Sequence, residues 1–368
     1  MIYKTEQSII DNYFSDTDHV SQSSLKQLLK GVNAYLKTAD NEKSLYYTEK
    51  GHFIIGSAVD TILSMGYDEF QKQYFVVADD SKPGDKSLSL MQYIFDTQTE
   101  GMSIHEINNF RLSSVSDTAI IEACNINEFQ KRYKSPALIK AVYKYEDYFN
   151  NLCIAFGKQI ITFEDKNKID NIVSSFENSK WSYLFDDSLK DDIDNDLYFQ
   201  LPIYTNISGL KVKGLLDLVI VDHKRKTISI VDFKTMSEPV IKFPKSAHSY
   251  RYDIQAAWYI KLLGLWLVDK PEFKGYTFSE FNFLVESTTF INGAVMYNAS
   301  KDFIKGGKYG TGDLFALEYE SNYGRQLVKI RNAKYGWSYA LDLYIWHIEN
   351  GFDQDKEIVV NNNILTLE

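Results

Sequence analysis

The stretch 210-LKVKGLLDLVIVD-222, 223-HKRK-226, 227-TISIVDFK-234 decides the fold. Two segments rich in β-branched and apolar residues flank four consecutive polar ones, the pattern of a hairpin with a four-residue loop. Counting back from a pair between Asp222 and Thr227 sets Asp217 opposite Asp232 and Leu215 opposite Lys234. Val219 with Ile230 and Val221 with Ile228 share that face. Val212, Leu216, Leu218, Ile220, Val231 and Phe233 make the other face almost wholly apolar. The hairpin is therefore expected to be buried on both sides, as an inner part of a covered sheet.

Carboxylates directly opposite one another on neighbouring strands have Cβ atoms about 4.5–5.5 Å apart. Like charges at that spacing repel, the more so where apolar neighbours keep water away. A divalent cation offsets the repulsion, because hard cations take carboxylate oxygens and magnesium keeps waters that can serve as nucleophile. Lys234, two residues past Asp232, projects from the same face. It is placed to orient or deprotonate such a water, or to stabilise charge on a phosphate in the transition state. An acid-x-Lys triplet alone signifies nothing, since it recurs at Asp80/Lys82, Glu164/Lys166, Asp222/Lys224 and Glu272/Lys274. Asp232 differs in lying on a strand expected to be buried, facing a second aspartate within a basic segment. The bland reading of these residues is a plain Asp232–Lys234 ion pair, or one aspartate kept protonated.

Outward from the hairpin, Tyr198 to Tyr204 reads as a further strand, and Tyr252 to Val268 as a long helix. Strands return at Phe281 to Glu286 and Gly293 to Asn298, and an aromatic-rich helix is expected from Tyr323 to Glu349. Upstream the period is helical: Leu25 to Leu29 with Ser23 or Ser24 as cap, Gly56 to Ser64, Ser87 to Thr97 with Leu90, Met91, Ile94 and Phe95 inward, and Glu164 to Trp181. Asp186, Asp187, Asp191, Asp192, Asp194 and Asp196 read as a solvated acidic loop, with an extra metal site as the sharper alternative. The sum is an α/β chain with a mixed central sheet flanked by helices. It is expected to form one domain over 1–368, with 1–195 mostly helical and 196–368 holding the sheet and a C-terminal helix.

Composition supports folded structure throughout, with 44% apolar residues, 15% aromatics and six prolines. No apolar run approaches a membrane span, and the N-terminus lacks a signal-peptide pattern, so a cytoplasmic protein without membrane contact is expected. Cys124 and Cys153 are too few and too far apart for a zinc knuckle or a four-cysteine cluster, and read as core thiols. A net charge of −10 argues at first against a nucleic-acid partner. Its distribution qualifies this, because residues 1–200 hold 20 basic and 31 acidic side chains while 201–368 hold 20 and 19. The segment 211–251 carries nine Lys/Arg against four acids and reads as a locally basic groove.

The run Lys213-Gly214-Leu215-Leu216-Asp217, the run Ile230-Val231-Asp232-Phe233-Lys234-Thr235, and Gln255 with Tyr259 on the next helix together resemble the PD-(D/E)XK nucleases. The likeness is to their RecB and RecE branch, and within it to the exodeoxyribonuclease VIII-like phage enzymes. The early Ser-Ser-Leu-Lys helix, the Gly56 to Asp60 turn, Phe283 to Glu286 and the Trp337 helix follow in that family's order. The resemblance implies a restriction-endonuclease-like core and metal-dependent hydrolysis of DNA phosphodiesters. It further implies Asp217 and Asp232 as ligands of Mg2+, or of Mn2+ in its place, the Phe233 carbonyl as a third ligand, and Lys234 with Gln255 as catalytic residues. Ser24, Lys26, Arg251, Gln255 and Tyr259 are the implied substrate contacts. Where the family usually has histidine on the early helix this chain has Asp60, expected as a further ligand, or else a cap or surface acid. Gln200 stands near the place of an occasional upstream glutamate.

The implied activity is a 5′–3′ exonuclease on linear duplex DNA in phage-type recombination or replication, in a bacterial cell, as a homo-oligomer working with a single-strand annealing protein. One alternative keeps the fold as a catalytically degenerate DNA-binding or scaffold protein. Another is a CRISPR-adaptation-like nuclease without the iron–sulfur cluster. No nucleotide-binding P-loop motif occurs, so no motor is expected within this chain.

Overall fold

The computed structural model describes residues 1–43, 51–78, 83–130, 133–185, 194–311, 318–321, 324–327, 334–356 and 360. By its contacts the chain divides into two compact units, Met1–Glu42 with Phe176–Glu368, and Lys43–Ser175. The first is built on a mixed sheet flanked by helices, so the protein is of the α/β class.

Eight strands matter here: β1 (Ile2–Lys4), β2 (Tyr74–Val77), β3 (Gln159–Thr162), β4 (Asn195–Ile207), β5 (Leu210–Asp222), β6 (Thr227–Met236), β7 (Thr277–Ser287) and β8 (Val295–Asn298). The six-stranded sheet of the first unit runs β1-β4-β5-β6-β7-β8. β1 joins β4 in parallel, β4 to β6 form an antiparallel meander, β7 is parallel to β6, and β8 returns antiparallel. The crossover from β6 to β7 passes through the Tyr252–Val268 helix, as parallel pairing requires.

The β5–β6 turn falls on 223–226, with Asp222 paired to Thr227 as the sequence suggests. Both faces of this hairpin are covered. Val219, Val221, Ile228 and Ile230 share one core with Ile254, Trp258 and Leu262 of the Tyr252–Val268 helix. On the other face Phe176 and Phe185 close on Phe233, with ring centroids 6.4 and 5.5 Å away.

The helix can approach β5 because position 214 is glycine, where a Cβ would collide with the Leu262 side chain. Trp258 Nε1 then donates to the Lys213 carbonyl at 3.1 Å, locking the rotation of the helix. Residues 1–42 are tied to the same strand. Val20 bridges Val212 in parallel, and the buried Lys213 ammonium donates to the Tyr13 and Asp16 carbonyls at 2.6 and 2.5 Å.

The second unit packs helices around Leu90, Met91, Ile94, Ile120 and Phe149, with Cys124 and Cys153 buried as thiols among them. Burial pushes both thiols up to about 11, so they are inert core groups. β2 and β3 pair in parallel at its edge. Ser87 to Thr97 lies within the helix Asp85–Thr99, with Leu90, Met91, Ile94 and Phe95 inward as expected.

Two expectations are corrected. The C-terminal helix spans Trp337–Asn350 rather than starting at Tyr323. Upstream of it Glu318–Ser321 pairs with Gly324–Leu327, and Lys334–Tyr335 with Gly310–Thr311. The early helix Gln22–Leu28 is capped by Ser21, whose Oγ accepts from the Ser24 amide at 3.3 Å, so the first serine of the run supplies the cap.

Candidate active site

Asp217 sits where the ladder opens on both sides of β5. Toward β6 the pairing runs from Asp222–Thr227 to Leu218–Val231 and stops one pair short of Asp217 and Asp232. Toward β4, the pairs Phe199–Leu218 and Leu201–Leu216 leave Gln200 at the register position across from Asp217. The buried Gln200 takes left-handed backbone with φ +50°. That conformation costs a non-glycine residue on the order of 1–2 kcal/mol and concentrates at functional positions.

The opening changes how the two aspartates meet. Asp217 Oδ2 accepts the Phe233 amide at 2.8 Å, so its carboxylate takes a hydrogen bond that a ladder carbonyl would otherwise take. One carboxylate is held by backbone and the other by side chains.

Asp232 is wholly buried. Its Oδ1 accepts Gln255 Nε2 at 2.8 Å, and its Oδ2 pairs with the Lys234 ammonium. Burial works against the Lys234 charge, but Asp232 first, then Asp217, outweighs it, and Lys234 stays protonated well above its ordinary range. The same ammonium lies 5.1 Å over the Tyr252 ring and 3.4 Å from the Phe233 carbonyl. Gln255 Nε2 is also 3.4 Å from the Tyr259 hydroxyl, one helical turn on. Burial, then the charges around it, Asp232 and Asp217 among them, push the Tyr259 phenol well above its ordinary value.

The structure therefore brings together Asp217, Asp232, the Phe233 carbonyl, Lys234, Gln255 and Tyr259. Lys26 joins them from the Gln22–Leu28 helix, donating to the Tyr250 carbonyl at 3.4 Å. Burial and then the neighbouring Lys234 charge bring its pKa down to about 8, against the pull of Asp232. Arg251, itself at φ +55°, forks onto the buried Asp253 at 2.9 and 3.0 Å. Ser24 bonds within its own helix start, to Ser21 Oγ at 3.1 Å. Asp60 belongs to the second unit. It lies inside the helix Gly51–Met65, not at its cap, and accepts Ser64 Oγ at 3.2 Å.

Sequence reading missed Tyr252 and Asp253. A signal was available, since Tyr252 precedes Gln255 by three residues on the same helix face.

The locally basic segment 211–251 is not a continuous groove. Lys213 is buried on carbonyls, Arg225 pairs with Asp222, Lys234 with Asp232, Lys242 with Glu238 and Arg251 with Asp253. Lys224, Arg225 and Lys226 sit in the hairpin turn, five residues of strand from Asp217, roughly 17 Å away. Of the acidic run, Asp186, Asp187, Asp191 and Asp192 lie outside the described residues. Asp196 is no solvated loop residue, since it is buried on β4 and bonds His223 Nε2 at 2.9 Å.

Among the described residues no group of three or more His, Cys, Asp or Glu side chains is placed to hold a metal ion. The donors of the first unit's site are two carboxylates and one backbone carbonyl, all hard oxygens, from Asp217, Asp232 and Phe233. That set fits magnesium, which binds through one or two carboxylates and leaves its remaining positions to water and phosphate oxygens.

No protein-family model matches the chain, and comparison with curated proteins finds no match either. Among solved structures the chain is similar to a crystal structure from Eubacterium rectale described provisionally as an exonuclease. The alignment covers 99% of this chain and 94% of that one, at 12% identity and a TM-score of 0.43. A likeness at that depth establishes neither fold nor activity. Among the described residues no helix is long and apolar enough to cross a membrane.

Proposed function

We propose that the first unit is a divalent-cation-dependent DNA nuclease whose centre is Asp217, Asp232 and Lys234. The supporting observation is Asp232, a carboxylate with no exposed surface at all on a central strand, gripped by a lysine and a glutamine. Burying such a group is costly, and a purely apolar residue would serve the core better. Magnesium bound by Asp217, Asp232 and the Phe233 carbonyl, or manganese in its place, would supply Lewis acidity and a nucleophilic water near neutral pH.

The chain's own residues divide the remaining work. Gln255 holds Asp232 Oδ1 and so fixes the rotation of the carboxylate. Lys234, kept protonated by both aspartates, is suited to neutralise charge building on a phosphoryl oxygen rather than to remove a proton. Lys26, Ser24, Arg251 and Tyr259 are the proposed contacts for the sugar–phosphate backbone.

The finer reading is a double-strand exonuclease that works 5′ to 3′ from DNA ends in the cytoplasm, as a homo-oligomer beside a single-strand annealing protein. A protein of net charge −10 gains little from diffuse attraction to DNA, and an enclosing assembly would retain it without strong static affinity. The test is digestion of 5′-labelled linear, 3′-labelled linear and covalently closed circular duplex, each with magnesium and with chelator. Magnesium-dependent loss of linear DNA alone is the expected result, and efficient cutting of circles removes the end requirement.

A second reading draws on the same contacts. A carboxylate already satisfied by Lys234 and Gln255 can be a structural feature of a DNA-binding protein without activity. In that case DNA binds, nothing is cut, and chelator changes neither result.

A further inference from the structure

The Tyr252–Val268 helix shows two different faces. Gln255 and Tyr259 point to the aspartates, whereas Ala257, Ile260, Lys261, Gly264 and Val268 lie on the opposite side and line a cavity of about 890 Å³. The far wall is the helix Lys301–Tyr309, and the ends of β7 and β8 close the side through Phe278, Glu280 and Asn298. The two helices meet closely because position 307 is glycine, where a Cβ would run into the Asp253 backbone carbonyl. One wall of this groove is therefore the back of the helix that carries Gln255, and about one helix diameter, roughly 10 Å, separates the groove from Asp232.

Its charge is opposite to that of the whole chain. Four lysines line it, Lys261, Lys301, Lys305 and Lys308, against the single acid Glu280, in a protein of net charge −10. Glu280 is engaged with Asn298 at 3.0 Å, not with a lysine. Lys301, Lys305 and Lys308 follow at intervals of four and three, so they form a row on one helix face spanning about 10 Å. A row of cations fits a polymer with repeating charge, while a single anionic head group calls for convergent donors. Between the lysines the floor is apolar, through Ile260, Leu265 and Ile304, and the rings of Phe278 and Tyr309 stand exposed at its margin. Apolar and aromatic surface beside a cationic track is how single-stranded nucleic acid is bound without sequence preference.

We propose that this groove is a second nucleic-acid site, which takes single-stranded DNA by its phosphates on Lys301, Lys305 and Lys308 and by its bases on the Phe278 and Tyr309 rings. The proposal deepens the nuclease reading, because removing one strand of a duplex leaves the other single beside the enzyme. It stands or falls separately from that reading. The groove shares a helix with the centre but none of its chemical groups.

The experiment uses the full chain with magnesium chelated, so that nothing is cut, and follows the fluorescence anisotropy of a labelled 20-nucleotide oligothymidylate. Lys301→Glu with Lys305→Glu reverses two exposed charges, and circular dichroism with a melting curve verifies that the fold is kept. The expected result is at least a ten-fold loss of oligonucleotide affinity in the double variant. The slope of log affinity against log salt should fall by about 1.4, two phosphate contacts at roughly 0.7 each on a single strand. Tyr309→Ala should weaken binding further without changing that slope. Cleavage of a short duplex by the double variant should stay at the parental rate.

Equal affinity for the oligonucleotide in parent and double variant overturns the groove, whatever the nuclease assay shows. So does displacement of the probe by a simple aliphatic carboxylate such as dodecanoate at lower concentration than by unlabelled oligothymidylate. A parent that binds the probe through these lysines yet cuts no DNA under any metal condition overturns the nuclease reading and leaves the groove standing.

Discussion

The two ends of the β5–β6 hairpin carry similar charges and treat them in opposite ways. At the turn, Asp222 takes the Arg225 amide and guanidinium at 2.7 and 3.0 Å, and the Arg225 side chain is 80% exposed. Five residues along the same strands, Asp232 has no exposed surface and Lys234 little. Water screens the first pair, which therefore contributes little and can be lost cheaply. The second pair cannot be explained by stability, since desolvating both charges offsets most of their attraction. Charge retained where it does not help folding is what the catalytic end of the hairpin would show under the proposed function.

The comparison breaks most readily on activity. Asp232→Asn keeps the shape and should lower magnesium-dependent DNA cleavage by ~10³-fold or more. Asp222→Asn should stay within about two-fold, as a surface substitution. Initial rates on linear duplex measure both, and equal losses would erase the distinction between the two ends.

Stability gives the next largest contrast. Lys234→Ala leaves the Asp232 charge buried without its partner and should cost about 3–5 kcal/mol in denaturant unfolding. Arg225→Ala should cost less than about 0.5 kcal/mol. Combining Lys234→Ala with Asp232→Ala should recover most of the loss, and failure to recover it would mean that packing, not charge, makes Lys234 important.

A smaller effect sharpens the role of the helix. Gln255→Ala removes the donor to Asp232 Oδ1 and should cost about 1–3 kcal/mol. In a double-mutant cycle with Asp232→Asn the two changes should couple by about 0.5–3 kcal/mol, and strict additivity would show that the 2.8 Å contact does nothing.

The smallest expected effect is a pH profile. Lys26 loses its proton near 8 in the folded chain, below the ordinary lysine value of 10.5. DNA affinity measured with chelated metal should fall a few-fold as pH rises through about 8, and Lys26→Arg should flatten that step. Between about 8 and 10.5 the unfolded chain holds the proton that the folded one has lost, so this group makes stability rise with pH there. An affinity that is constant from pH 7 to 9 would remove Lys26 from the substrate path.

Local patterns were legible in the residues, and distant partners were not. The helix Tyr252–Val268, the turn at 223–226 and the inward Leu90, Met91, Ile94 and Phe95 follow from periodicity over a few residues. That Asp217, Asp232 and Lys234 share one face of the hairpin was legible from strand alternation, whereas Gln255 was set beside them only by the family resemblance, since helical spacing relates it to Tyr259 and not to the strands. The break in the β4–β5 ladder across from Asp217 was not, since it falls at the left-handed backbone of Gln200, a residue that seldom adopts it. Nor was the loss of Lys213 from the basic segment. Its carbonyl partners at Tyr13 and Asp16 lie about two hundred positions earlier in the chain, beyond the reach of any periodicity.

That same separation sets an order of events during synthesis. β1 pairs with Leu197 to Phe199, and Val20 with Val212, while residues 43–175 form a unit of their own between them. At roughly 5–20 residues per second, the first segment leaves the ribosome some ten to forty seconds before its partner strands exist. Throughout that interval Ile10, Tyr13, Val20, Leu25 and Leu28, all buried in the finished protein, have no sheet to cover them. The nascent chain therefore carries this apolar segment uncovered until the strands it packs on have been made.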